Sequence, residues 1–390
     1  MKPIHVLELR SVRGTGGGPE KTILLGAARS DSARYGVTVC YLRDRRDAVF
    51  AIDTRAAGLS IDYLEVIERH SLDRAIWPAL RGIVRDRQID IVHAHDYKTD
   101  VLAWLLHRST GVIPLSTAHG WTGHSRRERM LYYPLDRLVL RFFQKVIAVS
   151  EDIRQELIRS GVRAAAVETV LNGIDHTRFR RDRSREPAIR RVLGLASDEI
   201  VIGSVGRLEP QKRFDLLIDT FATLRVGRPQ LRLLIAGAGS LQRALESQIE
   251  RLGLAGVCRL LGHRTDIADL HHAFDVFVQS SDYEGTPNTV LEAMALETAV
   301  VATDVGGTSQ LVRHLFDGLV VPPGRGDALG RAIENVLEDS RSAAARVSAA
   351  RRRVETDLSF DARMAAVEAV YSGLCAHRGA PEAAVMPVRT

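Results

Sequence analysis

The stretch Ser280-Ser281-Asp282-Tyr283-Glu284-Gly285-Thr286-Pro287-Asn288-Thr289-Val290-Leu291-Glu292-Ala293-Met294-Ala295 organises this 390-residue chain. It follows the apolar run 275–279, which reads as a buried strand. Turn residues, Pro287 at a first helical position and then good helix formers predict strand, loop and helix. Glu284 falls in the loop and Glu292 about a turn inside the helix. Proline has no N–H to leave unpaired there. The amides of Asn288, Thr289 and Val290 would stand free at the positive end of the helix dipole. Such an end suits an anion, most often a phosphate. A carboxylate on each side calls for something neutral nearby, and sugar hydroxyls fit, because a carboxylate accepts their hydrogen bonds.

Away from this stretch, short apolar runs alternate with helical patterns. Residues 4–9, 37–42, 61–65, 89–94, 114–117, 146–149 and 167–171 read as strands, with helices such as 71–88, 98–108 and 151–160 between them. That alternation predicts a parallel sheet covered by helices on both faces. The polar, arginine-rich stretch 176–186 (HTRFRRDRSRE) breaks the pattern and reads as a linker. A second strand set follows at 200–205, 231–236, 257–261, 276–279, 299–303 and 319–321, and no internal repeat is visible. The expected fold class is α/β: two doubly wound, Rossmann-like domains facing across a cleft, since ligands of such sheets bind beyond the strands' carboxyl ends.

The run 202–208 (IGSVGRL) is a strand entering a loop, continued by Glu209-Pro210-Gln211-Lys212. Gly206 admits a close backbone approach. Arg207 and Lys212 follow a strand's carboxyl end, where two cations can clamp a diphosphate. Alone they would read as solvated surface charges. Their place two strands and a helix ahead of the glutamate stretch favours the ligand reading. Gly237-Ala238-Gly239-Ser240 and Leu260-Leu261-Gly262-His263-Arg264 are further strand ends. In the first half, Arg13-Gly14-Thr15-Gly16-Gly17-Gly18-Pro19-Glu20 follows the first strand, but Pro19 holds the place of the last glycine of a dinucleotide fingerprint. An NAD site is therefore disfavoured. His119 ends another predicted strand. His93 and His95 in HAHD end one too, yet a metal site needs a third ligand and the sequence places none.

Composition sets the outer limits. With 45% hydrophobic and 26% charged residues the chain can bury large cores. A net charge of +6 favours anionic partners: nucleotides, phosphates or an acidic membrane face. Aromatics are only 5%, and no basic stripe is interleaved with stacking residues, which argues against nucleic acid. Cys40, Cys258 and Cys375 are far apart in apolar surroundings and read as reduced core thiols. Glu8 and Arg10 interrupt the first apolar run before a signal-peptide core could form. No run approaches the roughly 18 residues of a membrane span. A cytoplasmic location is expected.

EGTPNTVLEAMA, with its two glutamates separated by seven residues, resembles the donor-site signature of family 4 retaining glycosyltransferases of the GT-B fold (glycosyltransferase group 1). Gly206-Arg207, followed five residues on by Lys212, resembles the same family's pyrophosphate signature. The likeness covers roughly residues 4–375. It implies an acceptor-side domain at 1–175, a nucleotide-sugar domain at 176–359, a helix at 360–376 returning to the first domain, and a disordered tail at 377–390. It also implies a metal-independent retaining hexosyltransferase using a UDP- or GDP-sugar and needing no other cofactor. The acceptor would be a hydroxyl of a sugar or lipid-linked molecule in exopolysaccharide, cell-envelope or glycolipid synthesis. No Asp-x-Asp motif is present, so Arg207, Lys212 and helix-end amides would neutralise the leaving group.

By that resemblance His119, Arg207, Lys212 and Glu284 are the expected catalytic residues. His119 faces the donor sugar, with Gly120 where the family commonly has Asp. Glu284 binds the sugar and Glu292 the ribose hydroxyls, with Gly285, Thr286, Asn288 and Thr289 between them. Gly206, Gly239 and Arg264 line the nucleotide pocket, and Gly16, Gly17 and Gly18 let the first loop approach the donor's phosphates. Asp96 and Lys98 are candidates for the acceptor side. Asn172-Gly173 resembles the family's domain-junction turn, tolerant of left-handed backbone and able to hinge. The alternatives are a nucleotide-sugar epimerase or hydrolase on the same fold, or a catalytically silent nucleotide-binding subunit. The intact set Arg207, Lys212, Glu284, Glu292 and His119 argues against silence.

One segment points to location. Residues 124–145 (HSRRERMLYYPLDRLVLRFFQK) carry Arg126, Arg127, Arg129, Arg137, Arg141 and Lys145 against Glu128 and Asp136. Tyr132, Tyr133, Leu138, Phe142 and Phe143 are interleaved with them, and Pro134 must kink or divide any helix. Either the aromatics are core and the arginines a solvated face, or the segment docks peripherally on an anionic membrane surface.

Overall fold

Seven of the apolar runs become one parallel sheet: β1 (Ile4–Val12), β2 (Tyr35–Asp44), β3 (Asp62–Glu68), β4 (Ile91–Ala94), β5 (Ile113–Ala118), β6 (Lys145–Ala148) and β7 (Val167–Thr169). Their order is β3-β2-β1-β4-β5-β6-β7. Six more, β8 (Ile200–Val205), β9 (Leu231–Ala236), β10 (Cys258–Leu260), β11 (Val276–Gln279), β12 (Ala299–Thr303) and β13 (Leu319–Val321), form a second sheet in the order β10-β9-β8-β11-β12-β13. The computed structural model describes residues 2–12, 17–46, 52–70, 73–121 and 128–379. Gly16, Arg126, Arg127, the side chain of Arg129 and the tail from 380 lie outside them.

In both sheets chain order reverses at the centre, between β1 and β4 and between β8 and β11. The loops leaving those strand pairs diverge to opposite faces, which opens a crevice at the carboxyl edge. The strands that flank it are buried on both faces, so they read as continuous apolar runs. Alternate side chains of β1 feed separate cores. Leu7 and Leu9 pack with Leu80 and Val84 of the helix Ile76–Asp86 and with Ala103 and Leu106 of the helix Tyr97–Thr110. Val6, with Ile91, Ile113 and Ile147, packs on Val367, Val370, Tyr371 and Leu374 of the helix Phe360–Gly379. In the second sheet Gly203 is required by packing, because a Cβ there would meet the Phe274 ring at 2.2 Å.

Contacts divide the chain into residues 1–149, 153–170 and 364–390, and residues 150–152 and 171–363. The division falls at 170/171 instead of 175/176 because Leu171 and Ile174 already belong to a core of the second unit. Likewise the returning helix joins the first unit at residue 364, four residues after it begins.

The arginine-rich stretch is not a free linker. Phe179 packs on the second unit's core, and Arg181 donates to the carbonyls of His271 at 2.6 Å and His272 at 3.1 Å, at the end of the helix Ile267–Ala273. A guanidinium suits that negative helix end, and its charge made a half-buried anchor look like solvated chain. Asn172 and Gly173 also differ from expectation, since neither has positive φ. Gly173 is needed because a Cβ would lie 2.5 Å from the Ser359 carbonyl oxygen. Asn172 Nδ2 donates to Thr286 O at 3.3 Å and Asn288 Oδ1 at 3.1 Å.

The basic segment is divided as Pro134 demands. A π-helical turn, Glu128–Tyr132, leads into the helix Tyr133–Leu140 with the proline in its first turn. Beneath it, the carboxyls of Asp100 and Asp136 are both buried, and Trp121 Nε1 donates to Asp136 Oδ2 at 2.8 Å. Burial, and then the Asp136 charge, push the Asp100 carboxyl well above the ordinary range; burial also raises Asp136.

A carboxyl raised in the folded state binds more protons there than in the unfolded chain. Its stabilisation is complete below the ordinary carboxylate pKa of about 3.9 and is lost as pH rises through the raised value. Asp100→Asn keeps the shape and removes that dependence. It is expected to raise Tm more at about pH 8 than at about pH 5, with each kcal/mol worth about 2–4 °C in a unit of this size. Calorimetry at the two pH values checks this; an equal change at both refutes the raised Asp100 carboxyl.

Candidate active site

Arg207 and Lys212 come from the loop after β8, and Glu284 from the loop after β11, the two strands at the second sheet's switch point. The crossover makes them neighbours although 72 residues separate Lys212 from Glu284. Lys212 Nζ donates to Glu284 Oε1 at 2.5 Å, and Ser281 Oγ donates to the same oxygen at 2.6 Å. Both side chains are largely covered, at 15% and 8% exposure, so the pair is shielded from the screening that weakens surface ion pairs. Among the described residues no donor reaches Glu284 Oε2.

Arg207 is exposed; its Nη2 reaches the Oε1 of the buried Gln211 at 3.5 Å. Tyr283 lies beside Arg207 and Glu284. Burial first, and the glutamate's charge after it, push its hydroxyl up, while Arg207 opposes them.

The glycines press these loops together. A Cβ on Gly206 would stand 3.3 Å from Lys212 Cε, and one on Gly239 would meet the Leu208 carbonyl oxygen at 2.5 Å. Leu208 N donates to Ala238 O at 3.0 Å, and Ser240 Oγ to Glu209 Oε2 at 2.8 Å, which joins the loops after β8 and β9. On the other side, Gly307 N donates to Gly285 O at 2.6 Å, fixing the Glu284–Gly285 turn against the loop after β12.

The helix Asn288–Ala295 begins one residue later than the sequence suggests, with Pro287 as its N-cap. Val290 N bonds Pro287 O at 3.1 Å, so Val290 is not a free amide. The amides of Asn288 and Thr289 keep no acceptor among the described residues. Thr286 and Glu292 are buried, the latter at 8% exposure. Arg264 stands apart, at the end of the edge strand β10, with its guanidinium engaged by Asp266 at 2.8 and 2.5 Å.

In the first unit, Gly17 caps the helix Gly18–Arg29, and its N–H donates to Glu20 Oε2 at 2.5 Å; Glu20 also takes Arg10 Nε at 2.5 Å. Asp96 caps the helix Tyr97–Thr110, accepting from the amides of Lys98 and Thr99, and Lys98 pairs with Glu68. Both candidate acceptor-side residues thus have structural work. His119 is half-buried after β5. Gly120 follows it with φ +96°, a left-handed turn that explains glycine at this place.

Two groups escaped the sequence reading. Ser281 sits inside the quoted stretch, where its spacing of three to Glu284 was the available signal. Glu8 was noticed only as a break in an apolar run. Parallel pairing sets it opposite His93, and with His95 it forms a trio whose ligand-type atoms lie within 4.8 Å of one another. The third group that His93 and His95 lacked in sequence is therefore present in space. These atoms bond to one another and to Tyr371 and Thr117: Tyr371 OH to Glu8 Oε1 at 2.8 Å, His93 to Tyr371 OH at 2.8 Å and to Thr117 Oγ1 at 2.7 Å, and His95 to Glu8.

Residues 16–178 match Glycosyltransferase Family 4, and residues 185–353 match Glycosyl transferases group 1. The Bacillus subtilis putative glycosyltransferase EpsD is 30% identical over 272 residues, 67% of this chain and 71% of that one. The Escherichia coli UDP-Gal:alpha-D-GlcNAc-diphosphoundecaprenol alpha-1,3-galactosyltransferase is 26% identical over 269 residues, 67% of this chain and 70% of that one. Among solved structures, Anabaena HepE in complex with UDP superimposes with a TM-score of 0.82 at 24% identity, covering 95% of this chain and 100% of that one. No described helix is long and apolar enough to cross a membrane. With both halves matched in order and two switch-point sheets beneath them, the chain belongs to the group 1, family 4 glycosyltransferases of the GT-B fold.

Proposed function

We propose that this chain is a retaining, metal-independent glycosyltransferase that moves a hexose-type sugar from a UDP- or GDP-sugar to a hydroxyl of a sugar or lipid-linked acceptor. The setting is exopolysaccharide, cell-envelope or glycolipid synthesis, and no cofactor beyond the donor is needed. The observation that carries this reading is the covered Lys212–Glu284 pair at the switch point, with Arg207 beside it. A cation already held by a carboxylate can be shared with an entering diphosphate at little cost in side-chain ordering. Glu284 Oε2 is left for a sugar hydroxyl.

When the anomeric C–O bond to the phosphate breaks, Arg207, Lys212 and the Asn288 and Thr289 amides stabilise the departing charge. The acceptor oxygen then bonds the anomeric carbon on the same face, and its proton passes to the leaving phosphate oxygen. His119 is assigned to the donor sugar, as the resemblance implies. Support comes from Anabaena HepE, solved with UDP-glucose, and from the E. coli relative, whose name gives a diphosphoundecaprenol-linked acceptor.

Arg207→Ala or Lys212→Ala is expected to cut turnover by about 100-fold or more, since one preorganised charge contact is worth about 2.7–4 kcal/mol. A thermal-shift screen with UDP-, GDP- and ADP-sugars identifies the donor for that assay, because ligand at about 100 times Kd stabilises by about 2.7 kcal/mol. Near-normal turnover in both variants would remove the pyrophosphate assignment.

The two glutamates should separate. Glu292→Ala is expected to weaken binding of the free nucleoside diphosphate. Glu284→Ala, which releases Lys212, should keep or tighten that binding while abolishing transfer. Calorimetric titration of both variants decides, and equal losses would refute the division.

The reading also places the enzyme at an anionic membrane. Tyr133 and Phe143 of the basic segment are core, and Tyr132 stacks on Tyr97 with ring centroids 5.3 Å apart. Leu131 (60% exposed), Leu135, Leu138 and Phe142 (60%) instead recur at helical spacing on the outer surface, beside exposed Leu105, Arg108 and Arg141. An outward apolar stripe edged by cations suits a lipid interface, where each basic residue adds on the order of 1 kcal/mol. Sedimentation with vesicles containing anionic lipid should occur at low salt, weaken at high salt and fail for Leu135→Ser/Leu138→Ser/Phe142→Ser. Unchanged binding of the triple variant would overturn docking by this face.

A further inference from the structure

Lys212 Nζ and Ser281 Oγ converge on one oxygen of Glu284, Oε1, at 2.5 and 2.6 Å. Two donors on one oxygen fix how the carboxylate is turned about its last bond, a torsion with no sharp preference of its own. The donors differ in kind. Lysine is a point charge on a flexible four-carbon stem with three protons to give. In the proposed transfer it is drawn to the diphosphate. Serine has one proton on a short arm.

Ser281 is buried, and among the described residues its hydroxyl has no acceptor besides Glu284, so that proton is committed. Its main chain is pinned from the end of β12. Thr303 Oγ1 donates to Ser281 O at 2.6 Å, and Thr303 N donates to Gln279 Oε1 at 3.1 Å. The preceding residue, Ser280, is buried too and donates from Oγ to Lys212 O at 2.8 Å. Asp282 N donates to Gln211 O at 2.8 Å. Neighbouring serines thus hold the ion pair by different handles: Ser280 takes the main chain of the cation, and Ser281 the side chain of the carboxylate.

We propose that Ser281 is a positioning residue for Glu284: it keeps Oε1 when Lys212 turns to a diphosphate, so that Oε2 remains the oxygen offered to the donor sugar. A Glu284 that lost both donors at once would be an unpaired charge at 8% exposure, which is a costly state. The serine bond prevents it. The consequence for the sugar rests on the transferase reading; the hold on Glu284 does not.

The ligand-free test is a crystal structure of the full chain carrying Lys212→Ala. Glu284 Oε1 is expected to stay within hydrogen-bond reach of Ser281 Oγ, and a carboxylate turned away from the serine overturns the proposal. This arm needs no change at Ser281. The functional test is calorimetric titration of UDP and UDP-glucose, and of GDP and GDP-mannose. Wild type, Ser281→Ala, Glu284→Ala and the double variant are compared. The quantity read is the Kd of the diphosphate divided by that of its sugar form. Ser281→Ala is expected to lower this ratio about tenfold, as loss of one hydrogen bond to a charged group does, with the diphosphate's own Kd kept within about twofold. In the Glu284→Ala background the same change should leave the ratio alone. An unchanged ratio in Ser281→Ala, equal losses for diphosphate and sugar form, or the same loss without Glu284 overturns the proposal. A wild type that binds neither diphosphate removes the transferase reading, and the Lys212→Ala structure still decides whether Ser281 holds the carboxylate.

Discussion

In a parallel sheet every strand delivers its chain to the same edge, and the next helix must leave to one face or the other. Where two adjacent strands send their helices to opposite faces, nothing covers the edge between them. Both sheets here reverse at such a place. The candidate site follows from that vacancy, for Lys212 and Glu284 are brought together by the pairing of β8 with β11 and not by nearness in the chain.

Holding those loops rigid is a matter of removing side chains as much as adding them. Gly206, Gly237 and Gly239 bring the loops after β8 and β9 into backbone contact; a Cβ on Gly237 would fall 1.8 Å from Gly206 O. Gly306 does the same against Glu284 O at 1.7 Å. The proposed transfer, in which charge develops on the leaving group, would need dipoles fixed beforehand, and interlocked backbone supplies that more firmly than long side chains could.

Strand number, the parallel class and the strand–loop–helix setting of Glu284 and Glu292 could be read from the sequence because apolar runs and turn residues are local signals. Strand order could not, so Glu8 looked like an interruption until register set it opposite His93. Arg181 misled for the opposite reason: its charge is local, but the helix carbonyls that satisfy it come from residues 271 and 272. Pro287 erred by one position, as helix ends do when cap geometry is not visible. The outward leucines of the basic segment shared their spacing with inward ones, and only burial separated them.

The helix Phe360–Gly379 places residues far apart in sequence in one core, with Val6 and Ile91 beneath Val367, Tyr371 and Leu374. During synthesis the first unit must therefore wait. Its sheet can form early, but the part of one apolar face around Val6, Ile91, Ile113 and Ile147 stays bare until residues 367–374 emerge, while residues 171–363 have all they need to close their own core. The second unit would finish folding first, against the usual N-to-C order. A ribosome that stalls late leaves a sticky, half-covered sheet, and the order of synthesis becomes a hazard that chaperones must cover.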